Sequence, residues 1–120
     1  MKTKRQVGIW MDYSHAYLME ISLHGIVADI VEPVNTSKSK NVNRDKALEQ
    51  QLAYYTRLKG VIKHYDEVLL FGPNSAKDEL SSLLKKDVHF HKIKIEIKEA
   101  DKLSGIEQQA FVMTHFRTES

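Results

Sequence analysis

Two acidic residues stand at positions from which carboxylates could hold metal ions for phosphodiester cleavage. Asp12 follows the first apolar segment of the chain, and Glu49 lies in the first segment with helical periodicity. Two-metal hydrolysis needs several carboxylates that converge on a pair of Mg²⁺ ions. The apolar segment 67–71 should supply another one at its end, but Gly72-Pro73-Asn74 follows it instead. A turn in which the Asp12 carboxylate accepts hydrogen bonds is therefore favoured, and a divergent metal-dependent nuclease or hydrolase centred on Asp12 is the alternative.

His89 and His91 stand two residues apart, a spacing that would place both imidazoles on one face of a strand and could bind a metal. No third ligand is close in the sequence, although His64 or His115 could approach in space. Surface or half-buried histidines are the favoured interpretation. We therefore predict neither a metal site nor a cofactor, while a metal role for this histidine pair or for Asp12 stays open.

The turn Gly72-Pro73-Asn74-Ser75-Ala76-Lys77 opens a helical segment, where free backbone amides favour anions. Lys77 adds a positive charge, which makes it a candidate contact for RNA or a partner. The turn lacks the glycine pattern of a phosphate loop, so a plain helix cap is favoured, with Ser75 and Asp78 spaced like a capping box. Asn74 and Asp12 are candidates for a polar site.

The basic residues are unevenly distributed along the chain. The formal net charge is only +2, from 18 Lys and Arg against 16 Asp and Glu, which does not by itself indicate nucleic-acid binding. Residues 35–43 (NTSKSKNVN) are polar, which predicts a loop, and its Lys38 and Lys40 suit phosphate contacts, as do Arg44 and Lys46 after it. A solvated loop without a partner is the open alternative. A later group is interpreted as a solvated face: Lys85, Lys86, Lys92, Lys94 and Lys98.

Composition limits the classes to which the protein can belong. A length of 120 residues and a hydrophobic content of 42% predict a single domain over residues 1–120. The chain has no cysteine, which excludes disulfides, a thiolate nucleophile and cysteine-ligated zinc. No apolar run suits a membrane span, and Asp12 and Ser14 interrupt the first one too soon for a signal peptide. We expect a cytoplasmic protein that does not contact a membrane.

The hydrophobic pattern predicts the element order β-β-β-α-β-α-β-α. Strand-like segments 7–11, 16–23 and 26–31 are joined by short turns, which favours an antiparallel meander. Residues 67–71 predict a buried strand, and Ser104 with Glu107 predicts a capping box that opens the last helix. Asn43 can cap the first helix, whose expected core-facing stripe is Leu48, Leu52, Tyr55, Leu58 and Ile62.

Residues 92–98 (KIKIEIK) alternate between isoleucine and charge, which is typical of a half-buried strand whose lysines protect a sheet edge. Three antiparallel strands and two right-handed crossovers then predict a five-stranded mixed sheet with helices on both faces. This is the ribonuclease H-like α/β arrangement, with the expected strand order 3-2-1-4-5. A homodimer through the edge strand, or a protein-interaction domain unrelated to RNA, is a further alternative.

Two stretches resemble a known family. Residues 7–12 (VGIWMD), leading to Ala16, resemble the opening of bacterial translational machinery proteins. These are similar to the middle domain of archaeal and eukaryotic class-1 peptide-chain release factors and of the ribosome-rescue factor Pelota. Residues 68–80 (VLLFGPNSAKDEL) resemble that family's strand, Gly-Pro turn and lysine-bearing helix, and Ala100-Asp101-Lys102 fits as well. By element order, the resemblance extends over nearly the whole chain and implies the same fold.

The resemblance also bears on activity. Release factors carry Gly-Gly-Gln in the loop between the third strand and the long helix, and this loop enters the peptidyl-transferase centre. The matching residues 35–43 contain neither glycine nor glutamine. The resemblance therefore implies a non-catalytic, translation-associated module that binds ribosomal RNA, tRNA or a translation factor and does not release peptides.

Overall fold

The computed structural model describes residues 4–22, 25–31 and 44–119. A short 3-10 helix, Val88–Phe90, lies between the second helix and the last strand. No described helix is long and apolar enough to cross a membrane. The remaining elements follow the predicted order: β1 Gln6–Met11, β2 Ala16–Ser22, β3 Gly25–Val31, α1 Arg44–Ile62, β4 Glu67–Gly72, α2 Ala76–Lys85, β5 Lys94–Glu99 and α3 Gly105–Glu119.

The five strands form one mixed sheet in the order β3-β2-β1-β4-β5, which confirms the predicted strand order. β2 pairs antiparallel with β1 and β3, whereas β4 pairs parallel with β1 and β5. β1 is central because it is apolar on both faces and can be covered on each side. β5 lies at one edge of the sheet, and the pairing of two copies through it stays a prediction.

Helices cover both faces of the sheet, as the element order predicts. α3 packs on one face, where Val112 and Phe116 join the buried cluster of Trp10. A Cβ atom at Gly8 would overlap the Val112 side chain, so this glycine allows α3 to approach the sheet. α1 and α2 cover the other face, where the core includes Val7, Ile9, Met11, Leu58, Leu70 and Leu80.

The predicted apolar stripe of α1 is wrong in the N-terminal half of the helix. Leu48 and Leu52 are 61% and 48% exposed, whereas Tyr54, outside that stripe, is fully buried. The Tyr54 hydroxyl donates a 3.0 Å hydrogen bond to the backbone oxygen of Asp12, the residue after β1. The helix therefore contacts the end of β1 through Tyr54 and not through the earlier leucines of the stripe. The later stripe residues Tyr55, Leu58 and Ile62 are buried as predicted.

His89 lies in the short 3-10 helix Val88–Phe90 and His91 in the turn after it, so the prediction that they share one face of a strand is wrong. The Asp87 carboxylate accepts a 3.0 Å hydrogen bond from the His89 amide and lies 2.8 Å from its ring Nδ1. The His91 Nε2 atom lies 3.2 Å from the backbone oxygen of Lys85. This turn uses the residues up to Ile93, which is why β5 begins at Lys94 and not at Lys92.

Candidate functional site

The strands β1, β4 and β5 are parallel, so their last residues, Met11, Gly72 and Glu99, lie at the same end of the sheet. We call this the carboxyl end of the sheet. Ligand sites of open α/β sheets form beyond this end, in the turns that follow the strands. The predicted polar residues Asp12 and Asn74 follow two neighbouring strands and both lie here.

Gly72 allows β1 and β4 to end side by side. Its φ of +154° is a conformation that other residues rarely adopt, and a Cβ atom would overlap the backbone oxygen of Met11. Position 72 therefore requires glycine. The contact places the β4–α2 turn directly against the residues that follow β1.

The carboxylate of Asp12 organises the turn after β1. Its Oδ1 atom accepts hydrogen bonds of 2.7 Å from the amides of Ser14 and His15. The amide of Asp12 in turn donates to the backbone oxygen of His15 at 3.0 Å. The predicted turn role of Asp12 is confirmed.

Asn74 caps α2. Its side-chain Oδ1 accepts a 3.1 Å hydrogen bond from the amide of Ala76, the first residue of the helix. The predicted capping box of Ser75 and Asp78 is wrong, because the Ser75 side chain makes no capping hydrogen bond in the described structure. The reason is conformational: Ser75 has φ −83° and ψ 3°, whereas a capping serine normally has an extended backbone.

Lys77, the second residue of α2, is completely buried. Its Nζ atom donates to the backbone oxygen of Asn74 at 2.6 Å and lies 3.0 Å from Oε1 of Glu99. A weaker ion pair, at 3.6 Å, joins it to Asp78. The prediction that Lys77 contacts RNA or a partner is therefore corrected, because its ammonium is directed into the protein and links the β4–α2 turn to the end of β5.

The carboxylate of Glu79 joins α1, α2 and the turn after β1 at the carboxyl end of the sheet. Glu79 of α2 accepts a 2.9 Å hydrogen bond from the Tyr55 hydroxyl of α1 and another of 2.9 Å from the Tyr13 hydroxyl. Burial raises the pKa of the Tyr55 hydroxyl, and the hydrogen bond to Glu79 raises the pKa of the Tyr13 hydroxyl. Both tyrosines therefore stay protonated and donate. No motif signals this cluster, since the residues are far apart in the sequence.

Hydrogen bonds within the protein hold most of these polar groups. Asp12 binds the amides of its own turn and Asn74 binds the first amide of α2, whereas Lys77 and Glu79 bind residues of other elements. In residues 4–22, 25–31 and 44–119, no group of three His, Cys, Asp or Glu side chains could hold a metal ion. The arrangement of these hydrogen bonds is suited to fixing the shape of the carboxyl end of the sheet.

The predicted basic loop is attached to the same end of the sheet. Lys38 and Lys40 lie outside the described residues, whereas Arg44 and Lys46 belong to the first turns of α1. β3 ends at Val31, which pairs with Ala16 beside the end of β1. α1 begins ten residues before Tyr54, about 15 Å along the helix axis. Both attachment points of the loop therefore lie at or beyond the carboxyl end.

A shallow groove of about 410 Å³ lies beside α3. Its lining combines apolar residues such as Leu103 and Phe111 with the charged Lys98 and Glu107. Glu107 also completes the predicted capping box: its Oε1 accepts from the Ser104 amide at 2.9 Å, and its own amide donates to the Ser104 hydroxyl at 3.2 Å. This capping prediction is confirmed, so Glu107 serves the helix.

The topology of the sheet identifies the fold class. A meander of three antiparallel strands, extended by two parallel strands and covered by helices on both faces, is a ribonuclease H-like α/β domain. No protein-family model matches the sequence, and no curated protein is significantly similar to it.

Two solved structures of Pelota proteins are similar to this chain. Pelota from Archaeoglobus fulgidus is similar with a TM-score of 0.66 at 8% sequence identity, over 95% of this chain and 32% of the Pelota chain. Pelota from Thermoplasma acidophilum is similar with a TM-score of 0.61 at 15% identity, over 96% of this chain and 32% of that chain. The chain thus spans about a third of the length of these proteins and has the fold of that part, which confirms the predicted resemblance to a Pelota-like or release-factor-like domain.

Proposed function

We propose that the chain is a non-catalytic binding module of translation, which contacts ribosomal RNA, tRNA or a translation factor through residues 35–43 together with Arg44 and Lys46. The observation that carries this proposal is the similarity of fold to about a third of the Pelota chain. A role at the ribosome would also place the protein in the cytoplasm.

Two features of the chain favour binding over catalysis. Residues 35–43 contain no glycine and no glutamine, so the Gly-Gly-Gln that the resemblance associates with peptide release is missing from them. The polar groups beside the attachment points of these residues bind one another, as the Tyr13–Glu79–Tyr55 hydrogen bonds illustrate. A rigid end of the sheet would present a basic loop to phosphates without taking part in a reaction.

Charge is the physical basis of the proposed contact. Lys38, Lys40, Arg44 and Lys46 fall within nine consecutive residues, and only Asp45 opposes them there. Lysine and arginine bound to phosphates displace condensed cations, so such binding weakens steeply as salt increases. Lys77 takes no part in this proposal, since it is buried.

Sedimentation of the 120-residue chain with ribosomes, at about 50 and about 300 mM KCl, tests the proposal. We expect co-sedimentation at low salt that is largely lost at high salt. The triple variant Lys38→Ala, Lys40→Ala and Arg44→Ala should bind about tenfold more weakly. A matched control removes three exposed lysines elsewhere, Lys4, Lys98 and Lys102, and should bind as the unmodified chain does.

Two outcomes would contradict the proposal. A chain that stays at the top of the gradient at both salt concentrations does not associate with ribosomes. Cleavage of RNA or DNA that depends on Mg²⁺ or Mn²⁺ and is lost in Asp12→Asn would instead establish the hydrolase alternative.

A further inference from the structure

A second basic surface lies at the opposite end of the sheet, where β1, β4 and β5 begin. We call it the basic patch and define it by Lys63, Lys85, Lys86, His89, His91 and Lys92, all of which are exposed. The structure gathers these residues from two separate segments, the turn after α1 and the segment that runs from the last residue of α2 to the turn before β5.

Direct contacts join the two segments. The Nζ atom of Lys59, in the last turn of α1, lies 3.2 Å from Oδ2 of Asp87 and 5.6 Å from the ring centre of Phe90. Lys63 follows one helical turn later, and its amide donates to the backbone oxygen of Lys59 at 3.2 Å. On the other side of the turn, the Lys94 amide donates to the backbone oxygen of Asp66 at 3.0 Å. Lys63 and the connection 85–92 therefore belong to one continuous surface.

The patch carries more positive charge than the acidic residues beside it compensate. Asp87 is the one acidic residue of the segment 85–92. Its carboxylate lies 3.2 Å from the Nζ atom of Lys59 and 2.8 Å from the Nδ1 atom of His89. Hydrogen bonds from the His89 amide and ring hold the pKa of Asp87 at about 2. Of the acids in the neighbouring turn, Asp66 accepts from the Arg5 amide at 2.8 Å and Glu67 from the Gln6 side chain at 3.0 Å.

Helix dipoles account for only part of this charge. α1 and α2 both end here, and cations near helix C-termini are stabilising, which explains Lys59 and Lys85 in the last turns. Lys86 is the C-cap residue of α2, so the dipole accounts for it as well, whereas Lys92 lies seven residues beyond the last residue of that helix. Neither Lys86 nor Lys92 forms an ion pair with a described residue, so both leave their positive charge exposed on the patch.

The composition of the patch distinguishes between classes of partner. Protein interfaces are enriched in aromatic residues, methionine and arginine and are depleted in lysine. Here the exposed side chains are lysines and histidines, and within residues 85–92 the one large apolar side chain exposed to solvent is Val88, at 70%. This composition suits a run of phosphates, which lysines bind without reading bases.

We infer that the basic patch binds the phosphodiester backbone of RNA, independently of sequence and separately from the predicted loop. The choice of RNA over other polyanions rests on the proposed function in translation. With the loop attached at the carboxyl end and the patch at the amino end, the domain would contact RNA at two places on opposite ends of the sheet.

Fluorescence anisotropy with a labelled oligouridylate of roughly 20 nucleotides tests the inference over a range of KCl concentrations. The variant Lys86→Ala with Lys92→Ala removes two patch lysines, and Lys98→Ala with Lys102→Ala removes two exposed lysines at the carboxyl end. We expect the patch variant to bind about tenfold more weakly near 50 mM KCl and its log–log salt slope to shrink by about 1.4. The control should bind as the unmodified chain does.

Three results would overturn the inference. Equal weakening in both variants would show that net charge and not the patch determines binding. Unchanged binding in the patch variant would exclude the patch as a contact. Binding of polyglutamate or of phosphatidylserine vesicles, without binding of oligouridylate, would assign the patch to an acidic protein or to a membrane surface.

The same variants separate this inference from the proposed function. If the unmodified chain and the patch variant co-sediment equally with ribosomes, the function in translation stands and the patch is not the ribosomal contact. If oligouridylate binding depends on the patch but the chain does not sediment with ribosomes, the patch stands and the function in translation falls.

Discussion

The ammonium of Lys77 and the carboxylate of Glu99 lie 3.0 Å apart, although the lysine is fully buried and the glutamate side chain is 78% exposed. The pair connects α2 to the end of the edge strand β5. Buried lysine is rare in proteins unless it is paired, because its charge loses hydration. Here the Asn74 carbonyl at 2.6 Å and the Glu99 carboxylate replace the lost water.

We expect Lys77→Ala to lower the free energy of unfolding by about 2–4 kcal/mol, because it removes both a buried stem and the link between two strand ends. Lys77→Met keeps most of the buried volume and should cost about half as much. Urea denaturation measures both variants, with the exposed Lys98→Ala as the control, expected within about 0.5 kcal/mol of the unmodified chain. A Lys77→Ala variant as stable as the unmodified chain would contradict this assignment.

Gly72→Ala should destabilise the protein by about 2–4 kcal/mol, because the added methyl group would overlap the Met11 backbone oxygen and φ is +154°. Gly60→Ala provides the matched control: nothing lies within 4 Å of a Cβ atom at this helical position. Alanine there should stabilise the protein by up to about 1 kcal/mol. Thermal unfolding measures both changes, and similar Tm values for the two variants would count against the close contact at Gly72.

The loss of the hydroxyl group should affect stability differently at the two serines that precede helices, Ser75 and Ser104. Ser104→Ala should cost about 1 kcal/mol, because the hydroxyl accepts from the Glu107 amide at 3.2 Å. Ser75→Ala should cost less than about 0.5 kcal/mol, since Asn74 and not the Ser75 side chain caps α2. Urea denaturation compares the two, and the reverse order would show that the capping roles are assigned incorrectly.

The free energy of unfolding should fall at alkaline pH because the hydroxyl of Tyr65 has a raised pKa in the folded protein. Burial, together with the 2.9 Å hydrogen bond to Glu20, raises the pKa of this hydroxyl to about 12. Unfolded tyrosine loses its proton near pH 10, so between about pH 10 and 12 the folded state binds more protons and stability falls as pH rises. Below about pH 10 the contribution is fully present.

Tyr65→Phe should make this alkaline decline shallower, because it removes the group whose pKa differs between the folded and unfolded states. Urea midpoints of the two proteins, measured in parallel from about pH 9 to about pH 11.5, test the expectation. Parallel curves over this range would show that Tyr65 does not contribute.

Much of the fold could be predicted from local patterns. The two apolar faces of residues 7–11 predict a central strand, and the alternation of isoleucine and charge in residues 92–98 predicts an edge strand; β1 and β5 occupy these positions. The spacing of Ser104 and Glu107 predicts the capping box that opens α3. Such predictions succeed because strand periodicity, capping and turns depend on residues that are neighbours in the sequence.

The site was less predictable. Asp12 and its turn were accessible from the sequence, because the hydrogen bonds reach only Ser14 and His15. The burial of Lys77 was not, because its partner Glu99 belongs to a strand that follows a helix and a turn. The sequence pattern does not predict the exposure of Leu48 and Leu52, since periodicity defines the apolar face of a helix but not which part of that face packs against the core.

The sequence by itself determined the order of the elements, the strand positions and the incomplete set of carboxylates, all of which depend on residue type and local spacing. Only the tertiary structure decided that Lys77 is an internal link and that the late lysines form a patch beside the end of α1. The physical reason is that burial and ion pairing depend on distances between segments that are remote in the chain. The packing of helices on the sheet sets those distances.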